Sequence, residues 1–449
     1  MGFVDLIKAA GVVGAGGAGF PTHVKLNAKA ETFLVNAAEC EPLIEVDKYL
    51  CRTFADRIVE TITAIASHLE ASQAVIAIKG KYVPEIEALQ GAIDRQGAAV
   101  RIHKLRTFYP AGDEQIIVQQ VTGRCVPERG LPLDVGCVVD NVGTVLSIAD
   151  ALEGKGVCEK YLSVSGAVKN TKVFHVPLGT PITEILDQTE LTVKEYAVIL
   201  GGPMMGRILA DDDAIRQAVV TKTTGNLLVL PKDHYLVGRS QKTESWMIHQ
   251  AKSACIQCRM CTDMCPRYLI GHNVRPNMVM RNLWRAGEIS SAEEFETAFG
   301  SAANCCSCGV CELFACPMGL SPRKMNDYAK RLLRERGINV PKNMQPEARE
   351  AVEYRKIPTE RLIARLGLSA YYRHDLPLEG NVTVKECFIP LSQHIGKPAV
   401  AAVHVGDRVE KGALVAAAAE GLSVNIHCGM SGKVTEITDK GIRICGEEE

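Results

Sequence analysis

The pattern of apolar and polar positions divides the first 158 residues into alternating strands and helices. Short apolar runs typical of buried strands occupy residues 32–35, 74–79 and 100–104, and helical periods occupy residues 3–10, 52–67 and 83–96. A further helix is predicted to open within residues 109–117, with Asp113 and Glu114 in its first turn, and another covers residues 146–152. Because strands and helices alternate, we predict a parallel sheet covered by helices over residues 1–158.

The pattern changes after residue 158 and predicts four further segments. Residues 159–235 contain short strands and little helix, whereas residues 236–340 are mostly helical. Residues 341–380 are rich in proline and charge, which favours a linker with some helix. Residues 381–449 carry short strands separated by glycines, the pattern of a biotinyl/lipoyl-type barrel. The hairpin at 425–429 has no lysine, so we expect a structural or docking barrel and not a swinging arm.

Composition and charge narrow the class of protein. The chain has 449 residues and a formal net charge of −1, which gives no electrostatic reason to expect nucleic acid or an anionic membrane as a partner. No apolar run reaches the roughly 18 residues of a transmembrane helix, and Met1–Asp5 lacks the basic start of a signal peptide. We therefore expect a cytoplasmic protein, in a reducing compartment where structural disulfides are rare.

Nine of the 17 cysteines fall between residues 255 and 316, in two runs that each end in Cys-Pro. The first run reads C-x2-C-x2-C-x3-C-P, the spacing of bacterial ferredoxins, and the second has one extra residue before its last cysteine. Three thiolates on one tight loop reach three corners of a cubane, while the fourth cysteine reaches the neighbouring cluster. We assign Cys255, Cys258, Cys261 and Cys316 to cluster one, and Cys305, Cys308, Cys311 and Cys265 to cluster two.

Two other interpretations of these cysteines are weaker, and one ambiguity stays open. Zinc usually binds two separated C-x2-C pairs, and disulfides do not suit a reducing compartment, so both are less favoured than two [4Fe–4S] clusters. Cys306 adjoins Cys305 and could replace it as a ligand. The resulting C-x-C spacing has the poorer geometry, so we treat Cys306 as a spare.

A glycine-rich stretch near the N-terminus is the second candidate site. Gly14, Gly16 and Gly19 satisfy G-x-G-x-x-G, and Glu39 follows about twenty residues later, as in a dinucleotide-binding turn. The context does not suit that motif, because a helix precedes the turn and Phe20-Pro21 interrupts the long helix that should come after it. Taken alone, the stretch is either an ordinary turn or a loop whose backbone approaches a flat or anionic ligand. Residues 109–117 and 134–145 are likewise either helix N-caps or parts of a ligand site.

These stretches together resemble the flavin-bearing, NADH-oxidising subunit of respiratory complex I. Residues 14–25 are similar to its GRGGAGFPTGLK loop, residues 36–39 to its NADE segment, residues 112–114 to its GEE segment and residues 140–144 to its NNVET segment. The resemblance implies an FMN site formed by Gly14, Gly16, Gly17, Lys25, Asn36, Asn141 and Thr144. It implies a nicotinamide side formed by Phe20, Glu39 and Glu114, with Gly19 and Gly112 as further cofactor-binding residues. The residues that depart from the family's pattern are Ala15, Ala38, Asp113 and Gly143.

The chain is also similar to the RnfC family, whose NAAECEP, YPxGxE, LPxDVG, GGPMMG and TKTT blocks are all present. In that family the IPLSQHIGKPA barrel stands at the N-terminus, whereas here it follows the cysteine runs. This order, with the Cys-Cys-Ser-Cys run, resembles PduS-type cobalamin reductases. The resemblance implies a multidomain α/β protein: a Rossmann-like FMN/NADH domain (1–158), a soluble-ligand-binding β-grasp (SLBB) domain (159–235), a helical two-cluster ferredoxin-like domain (236–340), a linker (341–380) and a barrel-sandwich hybrid (381–449).

The same resemblance implies electron transfer from NADH. NADH gives two electrons as hydride, a cubane carries one, and a flavin converts between them. The implied acceptor is cobalamin, or else an electron-acceptor protein such as an adenosyltransferase-type partner. The resemblance also implies a bacterial microcompartment as a candidate location, with its shell or cargo proteins as candidate partners. Two rival interpretations are a subunit of a membrane electron-transfer complex like RnfC, and a flavin-free iron–sulfur relay.

Overall fold

The N-terminal domain is built on a parallel sheet, in a computed structural model that describes residues 2–373 and 375–446. Its strands lie in the order β3-β2-β1-β5, namely β1 (Thr32–Ala37), β2 (Gln73–Lys79), β3 (Val100–Leu105) and β5 (Cys137–Asn141), while β4 (Phe108–Tyr109) lies outside this sheet. The helices are α1 (Phe3–Ala9), α2 (Thr22–Leu26), α3 (Val46–Thr53), α4 (Ala55–His68), α5 (Val83–Gln96), α6 (Glu114–Thr122) and α7 (Val142–Leu152). Apolar side chains such as Phe33 and Ile62 are fully buried between sheet and helices. The predicted alternation of strands and helices is confirmed.

Local sequence explains where these helices begin and end. Helix α5 has the predicted bounds, since it has a proline in its first turn and ends at Gly97 in the left-handed conformation (φ 57°). Helix α7 begins four residues earlier than predicted. Its N-cap is Asn141, whose Oδ1 accepts a hydrogen bond from the backbone N–H of Gly143 at 2.8 Å.

The second domain is a mixed sheet with two short helices. Its strands lie in the order β12-β7-β6-β10-β8-β9. Those from this domain are β6 (Glu159–Gly166), β7 (Lys172–Pro177), β8 (Tyr196–Leu200), β9 (Arg207–Leu209) and β10 (Asn226–Pro231), with helices α8 (Ile182–Asp187) and α9 (Asp212–Gln217). Strand β10 is parallel to β6 and antiparallel to β8. The predicted module of short strands is present, and β9 and α9 are additions that the sequence pattern did not indicate.

The cysteine-rich domain is helical, as predicted. Its α-helices are α10 (Tyr235–Ser240), α11 (Glu244–Ala254), α12 (Met260–Asp263), α13 (Pro266–Leu269), α14 (Pro276–Asn282), α15 (Ala292–Phe299) and α16 (Pro322–Glu335). Short 3-10 helices cover Leu283–Arg285 and Gly300–Asn304, and a π-helix covers Val310–Phe314. Phe295 and Phe299 are fully buried and pack at a centroid distance of 4.7 Å in its core. The two cysteine runs lie in the connections between these helices.

Residues 341–380 are more ordered than a linker would be. They contain β11 (Ile357–Pro358), α17 (Thr359–Arg365) and β12 (Leu378–Gly380). Strand β11 pairs with β4 of the N-terminal domain, and β12 pairs in parallel with β7 of the second domain. This segment therefore connects two domains through backbone hydrogen bonds, which neither proline nor charge content could indicate.

The C-terminal domain forms two small antiparallel sheets. One has the order β13-β19-β18-β15 and the other β14-β16-β17. The strands are β13 (Glu386–Pro390), β14 (Val400–Ala401), β15 (Arg408–Val409), β16 (Leu414–Ala417), β17 (Ile426–His427), β18 (Gly432–Ile437) and β19 (Gly441–Cys445). Within residues 2–373 and 375–446, none of the helices has the length and apolar composition needed to cross a membrane.

Candidate functional site

A cavity of about 1300 Å³ lies where the four domains meet. Its wall combines the glycine-rich loop with the ends of β1 and β5, the starts of α6 and α7, the turn 201–206, the turn 221–225 and barrel residues near 390. Cys306, Cys308 and Arg267 of the cysteine-rich domain complete the wall. Cavities for one small ligand usually measure about 300–1000 Å³, so this cavity has room for more than one.

The glycine-rich loop presents its backbone to this cavity. The backbone N–H of Gly14 donates to the carbonyl of Phe20 at 2.9 Å and closes the loop. The N–H of Ala15 donates to Oγ1 of Thr144 at 2.9 Å, which ties the loop to the start of α7. Gly17 has φ 106°, and a Cβ added there would enter open space. Only glycine adopts this conformation readily, so the loop leaves room for a ligand against its backbone.

Three polar side chains hold the cavity wall in place. Lys25 donates to the carbonyl of Val139 at 2.7 Å and lies 3.3 Å from the buried carboxylate of Asp140. Asn36, at the end of β1, donates to the carbonyl of Gly112 at 2.8 Å. Asn141 caps α7 and donates to Asp47 at 2.6 Å. These contacts tie the ends of β1 and β5 to α2, to α3 and to the loop before α6.

The structure brings the predicted cofactor residues together, with one exception. Those on the cavity wall are Gly14, Gly16, Gly17, Phe20, Lys25, Asn36, Glu39, Gly112, Glu114, Asn141 and Thr144. Gly19 does not line the cavity. Its φ is 66°, a Cβ added there would lie 2.9 Å from Thr223, and its carbonyl accepts a hydrogen bond from the N–H of Ile395. Gly19 is thus needed where the loop contacts two other domains, a long-range contact that the motif could not show.

Several carboxyl groups face the cavity with raised pKa values. Removal from water, and then the charge of Asp47, raises the pKa of Glu39 well above its usual range. Burial likewise raises the pKa of Asp47 to about 6 and that of Glu114 above its usual value. The backbone of Glu39 has φ 33°, and its carbonyl accepts hydrogen bonds from Lys79 and Tyr82 at 3.0 and 3.1 Å. A residue held in this sparsely populated conformation suggests a functional constraint.

Glu41 is a cavity residue that the sequence motifs did not indicate. Its carboxylate accepts a hydrogen bond from the N–H of Met204 at 3.0 Å, and burial raises its pKa to about 7. Tyr109 donates to the carbonyl of Cys308 at 2.8 Å, and Arg323 donates to that of Met204 at 2.8 Å. Glu41 belongs to the NAAECEP block, and its carboxylate contacts Met204 of the GGPMMG block. The presence of both blocks is the sequence signal that could have indicated Glu41.

The structure brings the eight predicted cluster ligands together in two groups of four. Burial, and then the charges of Cys255, Cys316 and Cys258, raises the pKa of Cys261 to about 12. In the second group, burial and then the charges of Cys305 and Cys265 raise the pKa of Cys311. Cys265, Cys305, Cys308 and Cys311 also line one small cavity. No three His, Cys, Asp or Glu side chains in the described ranges are arranged to hold a single metal ion.

The backbone shows which of the two adjacent cysteines matches Cys255. Gln257 and Arg259 have positive φ values in the first run, as Ser307 and Gly309 do in the second. These positions coincide when Cys305 is aligned with Cys255. The sulfur of Cys305 also accepts hydrogen bonds from the N–H of Ser307 at 3.4 Å and the amide of Asn326 at 3.7 Å, the kind of bond that tunes cluster ligands.

Cys306 lines both the large cavity and the small one, next to a buried arginine. Arg267 follows Cys265-Pro266 directly and donates to Asp113 at 2.8 Å. The charges of Asp113 and Cys306 raise the pKa of Arg267, against the effect of burial. Arg267 and Cys306 thus lie between the large cavity and the second cysteine group. Their position in the sequence, directly beside predicted ligands, is the signal that could have identified them.

The residues present fit a flavin and two iron–sulfur clusters. The cavity has an open glycine backbone, amide and hydroxyl side chains, and two buried oxygens without hydrogen-bond partners within the described residues, Oε1 of Glu41 and Oδ2 of Asp140. Each cysteine group supplies the four thiols that a [4Fe–4S] cluster needs.

Three family models match separate parts of the chain. Residues 7–150 match the Nuo51 FMN-binding domain, residues 254–321 match a 4Fe-4S dicluster domain, and residues 371–446 match the RnfC barrel sandwich hybrid domain. The multidomain α/β organisation with these three domains, expected from the sequence, is confirmed.

Individual relatives are similar over different lengths. The cobalamin reductase PduS of Citrobacter freundii is 42% identical over 98% of this chain and 95% of its own length. A subunit of the proton-translocating ferredoxin:NAD(+) oxidoreductase complex of Clostridium ljungdahlii is 34% identical over 59% of this chain and 56% of its own length. A solved NAD+-reducing [NiFe]-hydrogenase is 20% identical, with a TM-score of 0.47 over 77% of this chain and 69% of its own.

Proposed function

The chain belongs to the family of the PduS cobalamin reductases, and on that premise we propose that it is an NADH-dependent oxidoreductase that reduces cobalamin. Electrons pass from NADH through FMN and two [4Fe–4S] clusters to the bound acceptor. Similarity to the PduS protein of Citrobacter freundii extends over 98% of the chain, whereas similarity to the Clostridium ljungdahlii protein extends over 59%. This difference favours a cobalamin reductase over a subunit of a membrane complex.

The observation that carries the proposal is the shared wall between the two redox sites. Cys306 and Cys308 line both the large cavity and the small cavity of the second cysteine group. A flavin in the large cavity would therefore lie next to cluster two. A flavin-free relay would have no use for this cavity or for the glycine backbone that faces it.

The chain's own residues bind and orient the cofactor. FMN, when bound, accepts two electrons from NADH and passes them on singly. The loop at Gly14, Gly16 and Gly17 gives close backbone approach, and Lys25, Asn36, Asn141 and Thr144 supply polar contacts. Phe20, Glu39 and Glu114 line the part assigned to nicotinamide. The raised pKa of Glu39 favours its neutral form. A neutral carboxyl would not repel the phosphates of NADH.

The other domains have roles in the same scheme. We assign cluster one to Cys255, Cys258, Cys261 and Cys316, and cluster two to Cys265, Cys305, Cys308 and Cys311. The matching backbone conformations and N–H···S bonds support Cys305 over Cys306. The domain of residues 159–235 is proposed as an SLBB β-grasp domain that, with the barrel, binds the acceptor beside the cavity. A microcompartment location, and partners from its shell or cargo, belong to the same proposal.

An anaerobic titration tests the proposal. The reconstituted protein is titrated with NADH while flavin and iron–sulfur absorbance are followed, and cob(III)alamin is then added. We expect bleaching by NADH and reoxidation by the corrinoid. Bleaching without reoxidation would indicate a protein acceptor, and no bleaching would leave only the iron–sulfur relay.

A further inference from the structure

The loop that carries cluster one lies at the protein surface. Residues 256–260 are all exposed, and they include the predicted ligand Cys258. By contrast, Cys308 and Cys311 of cluster two are buried. Electrons that reach cluster one are therefore close to solvent, at a point where a partner could receive them.

Large apolar side chains are exposed on this loop and on two other elements of the same domain. Ile256 is 60% exposed and Met260 is 36% exposed. The only two tryptophans of the chain, Trp246 and Trp284, are 41% and 59% exposed, and they belong to α11 and the 3-10 helix Leu283–Arg285, which contact each other. Tryptophan is rarely exposed without reason and is enriched at protein interfaces.

The same stretch is strongly basic. Residues 242–285 contain seven lysines and arginines and two acids, a net charge of +5, although the whole chain has −1. Both acids are ion-paired, Glu244 with Arg331 at 2.7 Å and Asp263 with Arg259 at 3.1 Å. Lys252, Arg275 and Arg281 are exposed and have no ionic partner within the described residues. Arg267 is buried against Asp113 and Arg285 pairs with Glu294, so neither adds free charge to the surface. The unpaired charges of Lys252, Arg275 and Arg281 remain, and they complement a negatively charged partner.

We propose that this surface, defined by Trp246, Lys252, Ile256, Met260, Arg281 and Trp284, is the docking site of an acidic redox protein that takes electrons from cluster one. The inference rests on the proposed function and names the kind of partner that serves it. Charge complementarity favours an acidic protein over a second copy of this chain, which would present the same basic surface.

The electron balance of the proposed step is simple. NADH is oxidised to NAD+ with release of one proton, and its two electrons leave cluster one singly. Each electron reduces one one-electron acceptor, so two acceptor molecules are reduced for each NADH. The acceptor is supplied by the partner.

A chemically matched pair of acceptors tests the charge of the site. Native cytochrome c is basic, and the same cytochrome with succinylated lysines is acidic. We expect the acidic form to be reduced at least about tenfold faster at low ionic strength, with the advantage lost in salt, because steering of this kind changes association rates by about 10–10³. Binding of the ferric form without NADH, measured by titration calorimetry, should show the same preference.

Charge-reversed variants locate the site. Lys252→Glu with Arg281→Glu should abolish the preference while NADH still bleaches the flavin. The control, Lys104→Glu with Lys433→Glu, changes the net charge by the same amount at exposed positions on other domains. This control should keep the preference for the acidic cytochrome. Equal rates for both cytochromes in the wild type, or an unaltered preference in K252E/R281E, would overturn the proposal, as would self-association through this surface.

One further experiment distinguishes a failure of this inference from a failure of the proposed function. Protein reduced with dithionite delivers electrons to the cytochromes without NADH. If NADH fails but the dithionite-reduced protein keeps the acidic preference, the proposed NADH reaction is wrong and the docking site stands. If Cys258→Ala still reduces the acidic cytochrome at the wild-type rate, electrons leave elsewhere and the docking site is wrong.

Discussion

At the residue scale, the glycine-rich loop depends on conformations that only glycine adopts readily. Gly17 and Gly154 both have positive φ values, 106° and 82°, and a Cβ on either would meet no neighbour within 4 Å. Gly17 lines the cavity, whereas Gly154 lies on the surface after α7. Alanine substitutions at these two positions therefore distinguish the cost of backbone strain from the loss of space for a ligand.

We predict that Gly17→Ala weakens FMN binding by about tenfold or more, equivalent to ~1.4 kcal/mol. The matched change Gly154→Ala should alter FMN affinity less than about twofold, although both variants carry a similar strain of roughly 1 kcal/mol. Fluorescence titration of the flavin-free protein with FMN measures the affinities, and thermal melts measure the strain. Equal affinity in the two variants would mean that the flavin does not contact Gly17.

Arg267 is the charged residue best placed to influence cluster two. It is buried, ion-paired to Asp113 and beside Cys306. Loss of a positive charge makes an added electron less favourable, so Arg267→Gln should lower the midpoint potential of cluster two by roughly 60 mV or more, about 1.4 kcal/mol for one electron. Arg267→Lys should recover most of this. A redox titration followed by EPR measures the midpoint potential of cluster two. The exposed Arg259→Gln is the control, and an unchanged potential in R267Q would contradict the prediction.

At the element scale, the turn that contains Lys222 connects three domains. Its Nζ is buried and donates to the carbonyls of Gly11 and Asn425 at 2.6 and 2.7 Å. Its backbone N–H donates to Gln393 at 3.0 Å. Burial lowers the pKa of Lys222 to about 7. The turn therefore holds the barrel against the N-terminal domain beside the cavity.

This lysine should give the protein a measurable pH dependence. Its pKa is lowered from 10.5 to about 7 in the folded state, so between these values the unfolded chain binds more protons and stability rises with pH. The contribution is lost as pH falls toward 7. Lys222→Met should remove the part of the rise in Tm with pH that Lys222 causes. It should also lower the free energy of unfolding by about 2 kcal/mol, because two buried carbonyls lose their hydrogen-bond donor. Tm measured from pH 7 to 10 tests this, with the exposed Lys433→Met as control; an unchanged slope contradicts it.

Elements set by local sequence were predictable, and long-range contacts were not. Helix α5 has the predicted bounds because Pro84 and Gly97 mark its ends within the sequence itself. The dicluster domain was predictable because the spacing of its cysteines is itself local sequence. The contacts of Gly19 with Thr223 and Ile395 were not predictable, because these neighbours come from other domains. The pairing of β11 with β4 likewise joins residues about 250 apart, which no local pattern reports.

At the scale of the whole molecule, the positions of the two cysteine groups set an order for electron transfer. The small cavity of the second group shares two lining residues, Cys306 and Cys308, with the wall of the large cavity. The first group reaches the surface at Cys258. A flavin in the cavity would thus reduce cluster two first, and cluster one would follow as the outlet.

Two single-cluster variants test this order, because each leaves one cluster to observe. Cys258→Ala removes cluster one, and NADH should still reduce the flavin and cluster two. Cys308→Ala removes cluster two, and NADH should still reduce the flavin while cluster one stays largely oxidised, since the step between them is missing. EPR of samples frozen after anaerobic NADH addition distinguishes the cases, and dithionite reduction confirms that each remaining cluster is intact. Rapid reduction of cluster one in C308A would show that the flavin supplies it directly and that the two clusters do not act in series.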